Sequence, residues 1–212
     1  EETTDKVTLT CPANGAVINW SVVKPTGILE NISTTGNNII PAQTLTNTTN
    51  HAIVLTYKCA ALYTGTTTCI DSLTYTITVN PKPVVTQTAD LEFCNDDITG
   101  DITFAGTVAN TTFNWTSSNN AIGLNATSGT NTIPSFTTTN TTNGPISSEI
   151  IVTPSTSSCT GESDTFTITV NPSVELSASI PNQTICSEET TDKVTLTCPA
   201  NGAVINWSVV KP

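Results

Sequence analysis

Seven cysteines, one histidine and a few short acidic clusters are the side chains of this 212-residue chain with types suited to chemistry. The cysteines are Cys11, Cys59, Cys69, Cys94, Cys159, Cys186 and Cys198. No CxxC spacing occurs among them and methionine is absent, so they point to disulfides made under oxidising conditions rather than to zinc, with ordinary buried thiols as the alternative. Acidic residues follow two of them: Asp96, Asp97 and Asp101 after Cys94, and Glu188, Glu189 and Asp192 after Cys186, the latter copied at Glu1, Glu2 and Asp5. Paired carboxylates can hydrolyse glycosides, but that chemistry needs a cleft, and these fall on strand-to-strand turns. A calcium ion, which gathers several carboxylate and carbonyl oxygens, is the sharper use, with Asp96, Asp97 and Asp101 as its candidates. No EF-hand spacing accompanies them, and a solvated acidic turn is the plain reading. His51 stands beside Asn50 in an apparent turn with no acid at useful spacing, so nucleophile–base catalysis has no cast. The expectation is a non-enzyme without a cofactor.

The elements that position these residues are repeated. Residues 1–25, EETTDKVTLTCPANGAVINWSVVKP, recur unchanged as residues 188–212, which defines a tandem period of 187 residues. Within it, TYTITVNP at 74–81 recurs as TFTITVNP at 165–172, INW at 18–20 as FNW at 113–115, and LTNTTN at 45–50 as TTNTTN at 138–143. Two diverged units therefore alternate, giving domains at 1–80 and 81–171 and the opening part of a further copy at 172–212. Each has a size common for a β-sandwich. The first lacks its opening strand, which should resemble SVELSASIPNQTIC at 173–186. The last has that strand and the next two, a half-sandwich that would expose Trp207 and open strand edges. A longer chain or a neighbouring molecule is expected to complete it.

Alternation places Tyr75, Ile77 and Val79 on one face of a strand, with Phe166, Ile168 and Val170 as their echo. Ile18, Trp20 and Val22 make a second inward face, matched by Phe113 and Trp115. Turns are expected at Asn14-Gly15, Asn143-Gly144, Ser128-Gly129 and the Asn-Pro steps at 80–81 and 171–172. About a fifth of the residues are threonine, suited to half-exposed strand faces, and no window shows helical periodicity. The chain reads as all-β. Its six basic residues, all lysine, stand against seventeen acidic ones for a net charge of −11, which disfavours nucleic acid as a partner. No apolar run is long enough to span a bilayer, and no signal peptide is present.

The series INW, QTLTNTTN (43–50), VLTYKC (54–59) and TYTITVNPKP (74–83), with a cysteine before the final strand, resembles the PKD-like and immunoglobulin-like repeats of giant Bacteroidota cell-surface adhesins. These include gliding-motility adhesins exported by the type IX secretion system. The resemblance covers essentially the whole chain. It implies tandem sandwiches joined end to end in an extracellular, cell-surface stalk or filament that gives reach and multivalent attachment, with gliding motility among its uses. Partners would be adjacent repeats and surface polysaccharide. The order Cys11, Trp20, Cys59 resembles the Cys–Trp–Cys arrangement of immunoglobulin sandwiches, which implies a Cys11–Cys59 bridge. Alignment of the units pairs Cys94 with Cys159, matches Cys69 to a counterpart of Cys186 in the preceding period, and leaves Cys186 and Cys198 to the next. The second unit has Gly106 and Thr153 near the positions of Cys11 and Cys59, so that bridge is not essential to the fold. Asp71-Ser72-Leu73 is similar to the short motif that Bacteroidota O-glycosylate, which makes Ser72 the glycan candidate, against a bare turn serine. Asn-x-Ser/Thr sequons, Asn47 and Asn140 among them, mostly follow from composition. The competing functions are a carbohydrate-binding module using the loops Lys24–Asn38 and Ser117–Asn131, and an accessory domain of a surface enzyme.

Overall fold

The computed structural model describes all residues except Glu1, Ala13, Gly65, Thr66, Thr67, Gln87, Thr88, Pro181, Lys211 and Pro212, and gives the backbone alone of Glu2, Thr3, Thr68 and Cys69. The described residues are all-β, with one short 3-10 turn at Asn120–Ile122. They divide into two compact units. The first is Glu1–Val84 with Gly106–Thr112 and Pro154–Glu162; the second is Val85–Ala105, Phe113–Thr153 and Ser163–Pro212.

Unit 1 is built from β1 (Glu2–Thr3), β2 (Val7–Thr8), β3 (Val17–Val22), β4 (Thr35–Asn37), β5 (Ile39–Ile40), β6 (Thr44–Leu45), β7 (Ile53–Thr64) and β8 (Thr68–Val79). Strands β4-β3-β7-β8 form an antiparallel sheet, and the short ladders β1·β6 and β2·β5 make the facing layer. The period-2 pattern of β3 turns Ile18, Trp20 and Val22 inward and their neighbours outward. They meet Ile53, Leu55, Tyr57 and Cys59 of β7 and Ile40 and Leu45 of the ladders in one core. Burying such side chains is what holds two layers together, at about 1.5–3 kcal/mol for each large apolar group.

Unit 2 repeats the plan with β9 (Leu91–Cys94), β10 (Ile102–Thr103), β11 (Thr112–Ser117), β12 (Ser128–Thr130), β13 (Thr132–Ile133), β14 (Ile146–Ser155) and β15 (Asp164–Asn171). The sheet order is β12-β11-β14-β15-β9, with β9 parallel to β15, and β10·β13 supplies the facing ladder. Phe113, Trp115, Ile150, Val152, Phe166, Ile168 and Val170 fill its core. Beyond β15, the only regular structure in the described residues is the two-residue ladder of β16 (Ser177–Ala178) and β17 (Leu196–Thr197).

Two local expectations change. Ser128-Gly129 is strand, not turn: Gly129 pairs with Trp115 on β11. Ser72 lies within β8 opposite Ala60, not in a turn, because β7 and β8 run on as one twelve-residue-per-strand hairpin past the point where alternation fades. Asn14-Gly15 is a turn as expected, with Gly15 at φ +84°.

Candidate functional site

The side chains with the most constrained geometry are those that close each sandwich. In unit 1 the indole N–H of Trp20 donates to the Ile39 carbonyl (2.7 Å), and in unit 2 that of Trp115 donates to the Thr132 carbonyl (3.1 Å). Each ring lies on a glycine. A Cβ at Gly36 would fall 2.5 Å from Trp20 Cζ2, and one at Gly129 would fall 2.6 Å from Trp115 Cζ2, so no larger residue fits without moving the indole. Two residues on, Asn38 (φ 57°) and Asn131 (φ 63°) take left-handed backbone. Their Oδ1 atoms accept from the Ile18 and Phe113 amides at 3.1 and 3.0 Å.

A second recurring device pins the end of the last strand. Asn140 donates from Nδ2 to the carbonyls of Gly144 and Val170, both at 2.8 Å. Its Oδ1 accepts from Thr142 N (2.9 Å) and Thr142 Oγ1 (2.8 Å), so the buried amide is saturated. Asn47 does the same in unit 1, donating to His51 O (2.7 Å) and Val79 O (2.8 Å) and accepting from Thr49 N and Oγ1. These two sequon asparagines are thus structural, with no amide hydrogen left for a glycan. Composition suggested chance; the twice-repeated Asn-Thr-Thr was the signal to the contrary.

His51 serves this device through its carbonyl, and its exposed ring meets only the Asn50 side chain, at 3.2 Å, among the described residues. The acidic candidates do not converge. Asp97 Oδ2 accepts from Cys94 N (2.7 Å), Asp96 Oδ2 from Asn95 Nδ2 (2.8 Å) and Asp101 Oδ1 from Ser135 N (2.8 Å), so each carboxylate closes a separate piece of loop. Glu189 Oε2 repeats the first of these contacts on Cys186 N at 3.0 Å. No group of three or more His, Cys, Asp or Glu side chains placed to hold a metal occurs among the described residues.

The six cysteines with described side chains are free thiols. Cys59 is buried opposite Trp20, and half-buried Cys11 packs on the same core, so the structure brings those two into one cluster. Burial pushes the Cys59 thiol up, which removes it as a nucleophile. The structure does not bring Cys94 and Cys159 together. Cys94 is in register with Asn171 at the end of β15, whereas Cys159 lies in the β14–β15 connection, before Asp164 at its start. Eight residues of strand at about 3.3 Å each separate those ends, against the roughly 4.4–6.8 Å that a disulfide spans between Cα atoms. Aligned chain order suggested the pair; a hairpin strand reverses which end is near. The Cys69 backbone sits opposite Tyr63 on β8, and its side chain lies outside the described residues. Cys186 is exposed and Cys198 half-buried. Register also corrects one correspondence: since Ile53 and Ile146 pair with Val79 and Val170, the counterpart of Cys59 is Val152, not Thr153.

Unit 1 has one internal polar pair that unit 2 lacks. Gln43 Nε2 donates to the Tyr57 hydroxyl at 2.9 Å in the core, and burial pushes the Tyr57 phenol up, opposed by that bond. On the exposed face of the unit 1 sheet, Asn19, Ser21, Lys58 and Ser72, together with Ala60 and Leu73, line a shallow depression. Ser72 is exposed there, its amide held by Asp71 Oδ1 at 2.8 Å. The loop Ser117–Asn131 is largely structured, by the 3-10 turn and by β12.

No described protein family matches this chain, and no curated protein does. Among solved structures, it is similar to the crystal structure of mouse cadherin-23 EC22-24 (TM-score 0.42, 10% identity, 87% of this chain and 66% of that one). It is similar also to the protocadherin gammaB7 EC3-6 cis-dimer (0.37, 12%, 87% and 51%) and to the protocadherin gammaB4 extracellular domain (0.39, 12%, 87% and 35%). The chain thus spans less than two thirds of each of these proteins. The fold assignment rests on the strand pairing itself. No helix among the described residues is long and apolar enough to cross a membrane.

Proposed function

We propose that this chain is a section of an extracellular adhesin array whose sandwiches provide length and valency rather than chemistry. One observation carries the reading: a 25-residue segment recurs verbatim, in a chain whose two units rest on the same Trp–Gly–Asn and Asn-Thr-Thr devices. Selection for a stalk acts on a plan that can be copied, and repeats of this kind contribute additively along a chain. Among the described residues, the two recurring asparagine devices spend their polar atoms on holding backbone in place. In this reading the parent is a Bacteroidota surface adhesin of the type IX secretion system, with gliding motility as one setting, and Ser72 carries an O-glycan. Neighbouring repeats are its principal partners.

Pulling the chain by its ends tests the mechanical part. Two separate unfolding events are expected, each releasing about 80–90 residues, or roughly 300 Å at about 3.5 Å per residue. A single event, or gradual extension at low force, would count against a stalk of independent sandwiches. A carbohydrate-binding role has one favouring observation, the shallow depression around Lys58 and Ser72. Trp20 offers no stacking platform there because it is 4% exposed. Saturable binding to one family on a glycan array would move the conclusion to that role.

A further inference from the structure

The two ends of β15 sort the cysteines of the second repeat. Cys94 is in register with Asn171, where β15 ends, and Cys159 precedes Asp164, where β15 starts, so the two are out of each other's reach. Each nevertheless has a counterpart. Cys94 N donates to Asp97 Oδ2 at 2.7 Å and Cys186 N to Glu189 Oε2 at 3.0 Å, with Asp96 (φ 67°) and Glu188 (φ 75°) both in left-handed backbone. Cys186 therefore opens the same turn as Cys94. Residues 188–212 copy residues 1–25, so in the array each first unit is entered through a Cys186. Asn80 is the counterpart of Asn171, which puts that entering cysteine in register with Asn80 at the end of β8. Asn80, Lys82 and Cys159, all in unit 1, line one depression. Cys159 thus stands where the Cys186 of the preceding period arrives.

We propose that Cys159 forms a disulfide with the Cys186 of the preceding period, and Cys94 with the Cys69 of the following one, so that successive sandwiches are stapled covalently. The second pair follows from the first by repetition. Cys94 is the counterpart of Cys186, and Cys69, like Cys159, lies six or seven residues ahead of the inward aromatic of the last strand, Tyr75 or Phe166. Cys11 and Cys59 already share the unit 1 core, so three bridges use all six cysteines of a period.

The chemistry is ordinary thiol–disulfide exchange. For each bridge, two thiols lose two protons and two electrons to form one S–S bond, and glutathione disulfide, the oxidant, is reduced to two thiols. Cys186 lies between Cys94 and the following Cys69 along the chain, so the loops closed by successive bridges overlap. A sandwich pulled open inside a closed loop cannot lengthen the array by its full contour. The idea rests on the array reading and deepens it by naming what holds neighbouring repeats together.

The test uses two successive periods in one chain, residues 1–187 joined to residues 1–212, refolded with oxidised and reduced glutathione. Monomer is isolated by size, and its peptides are mapped without reduction. Expected are Cys159–Cys186 and Cys69–Cys94 links. Cys186→Ser should abolish the first and leave the second intact. Dominant Cys94–Cys159 and Cys69–Cys186 links, cysteines that stay reduced in the monomer, or the expected links appearing only in oligomers would each overturn the proposal. The reduced chain keeps the two ideas apart: pulled by its ends, it should show separate unfolding events for successive sandwiches. Those events without the expected links would sink the staples alone, and their absence would count against the stalk whatever the links.

Discussion

Residues 1–25 and 188–212 have one sequence and two structures. In the first, Val17–Val22 is a strand whose Trp20 is 4% exposed; in the second, the same residues form no strand and Trp207 is 77% exposed. Propensity, alternation and turn chemistry are identical, so none of them decides the outcome. What differs is the partner. Trp20 faces Cys59 and Gly36 across β7 and β4, whereas no strand among the described residues pairs with the segment around Trp207. A strand is a statement about its neighbours more than about itself. The largest prediction follows. In dilute, monomeric protein, Trp115→Ala and Trp20→Ala should each cost their unit about 3–5 kcal/mol, while Trp207→Ala should change stability by less than about 0.5 kcal/mol. Urea unfolding followed by circular dichroism measures all three, and a large loss for Trp207→Ala would break the comparison.

Units 1 and 2 make the opposite comparison, with different sequences and one structure. Their shared devices should fail alike, and where burial differs they should fail by different amounts. Asn140→Ala strands the Val170 carbonyl in a buried site and should cost about 2–3 kcal/mol. Asn47→Ala removes the same bonds where Asn47 is half-buried and water can reach, and should cost about 1–2 kcal/mol. Gly36→Ala and Gly129→Ala each push a methyl into an indole and should cost about 1–2 kcal/mol, equally in the two units. Unequal glycine effects would show that the Trp–Gly contact differs between them.

Much of the core was legible from alternation. Trp20, Trp115, Tyr75, Ile77, Phe166 and Ile168 were assigned inward from period 2 alone, and they pack on or within the two cores. The separation of Cys94 from Cys159 was not legible, because alignment preserves order along the chain and loses which end of a hairpin a residue occupies. Cys94 and Cys159 flank the unit in sequence and lie at opposite ends of β15. The role of Asn140 was hidden for another reason. Its partners, Val170 and Gly144, are carbonyls that any residue would supply, so only the asparagine leaves a trace in sequence. Register also separates two readings of one motif: Asp71-Ser72-Leu73 has turn-like composition but lies in a twelve-residue strand.

The smallest prediction uses the chemistry that unit 1 has and unit 2 lacks. Tyr57 and Cys59 are buried where unit 2 places Ile150 and Val152, and Tyr57 lies 5.6 Å from the Trp20 ring between centroids. Burial raises both the phenol and the thiol, so folded unit 1 holds these protons at pH values where the unfolded chain has released them. The stabilisation is complete below the unfolded pKa values, about 8.5 for a thiol and about 10 for a phenol, and is lost as pH rises through the folded ones. Unit 1 should therefore weaken above about pH 9 more steeply than unit 2. In reducing buffer, single-tryptophan variants keeping Trp20 or Trp115 report each unit separately. Tyr57→Phe with Cys59→Val should remove the excess slope, at the cost of leaving the Gln43 amide without its hydroxyl acceptor. Equal slopes before those substitutions would mean that the two cores, despite their different chemistry, meet alkaline solvent in the same way.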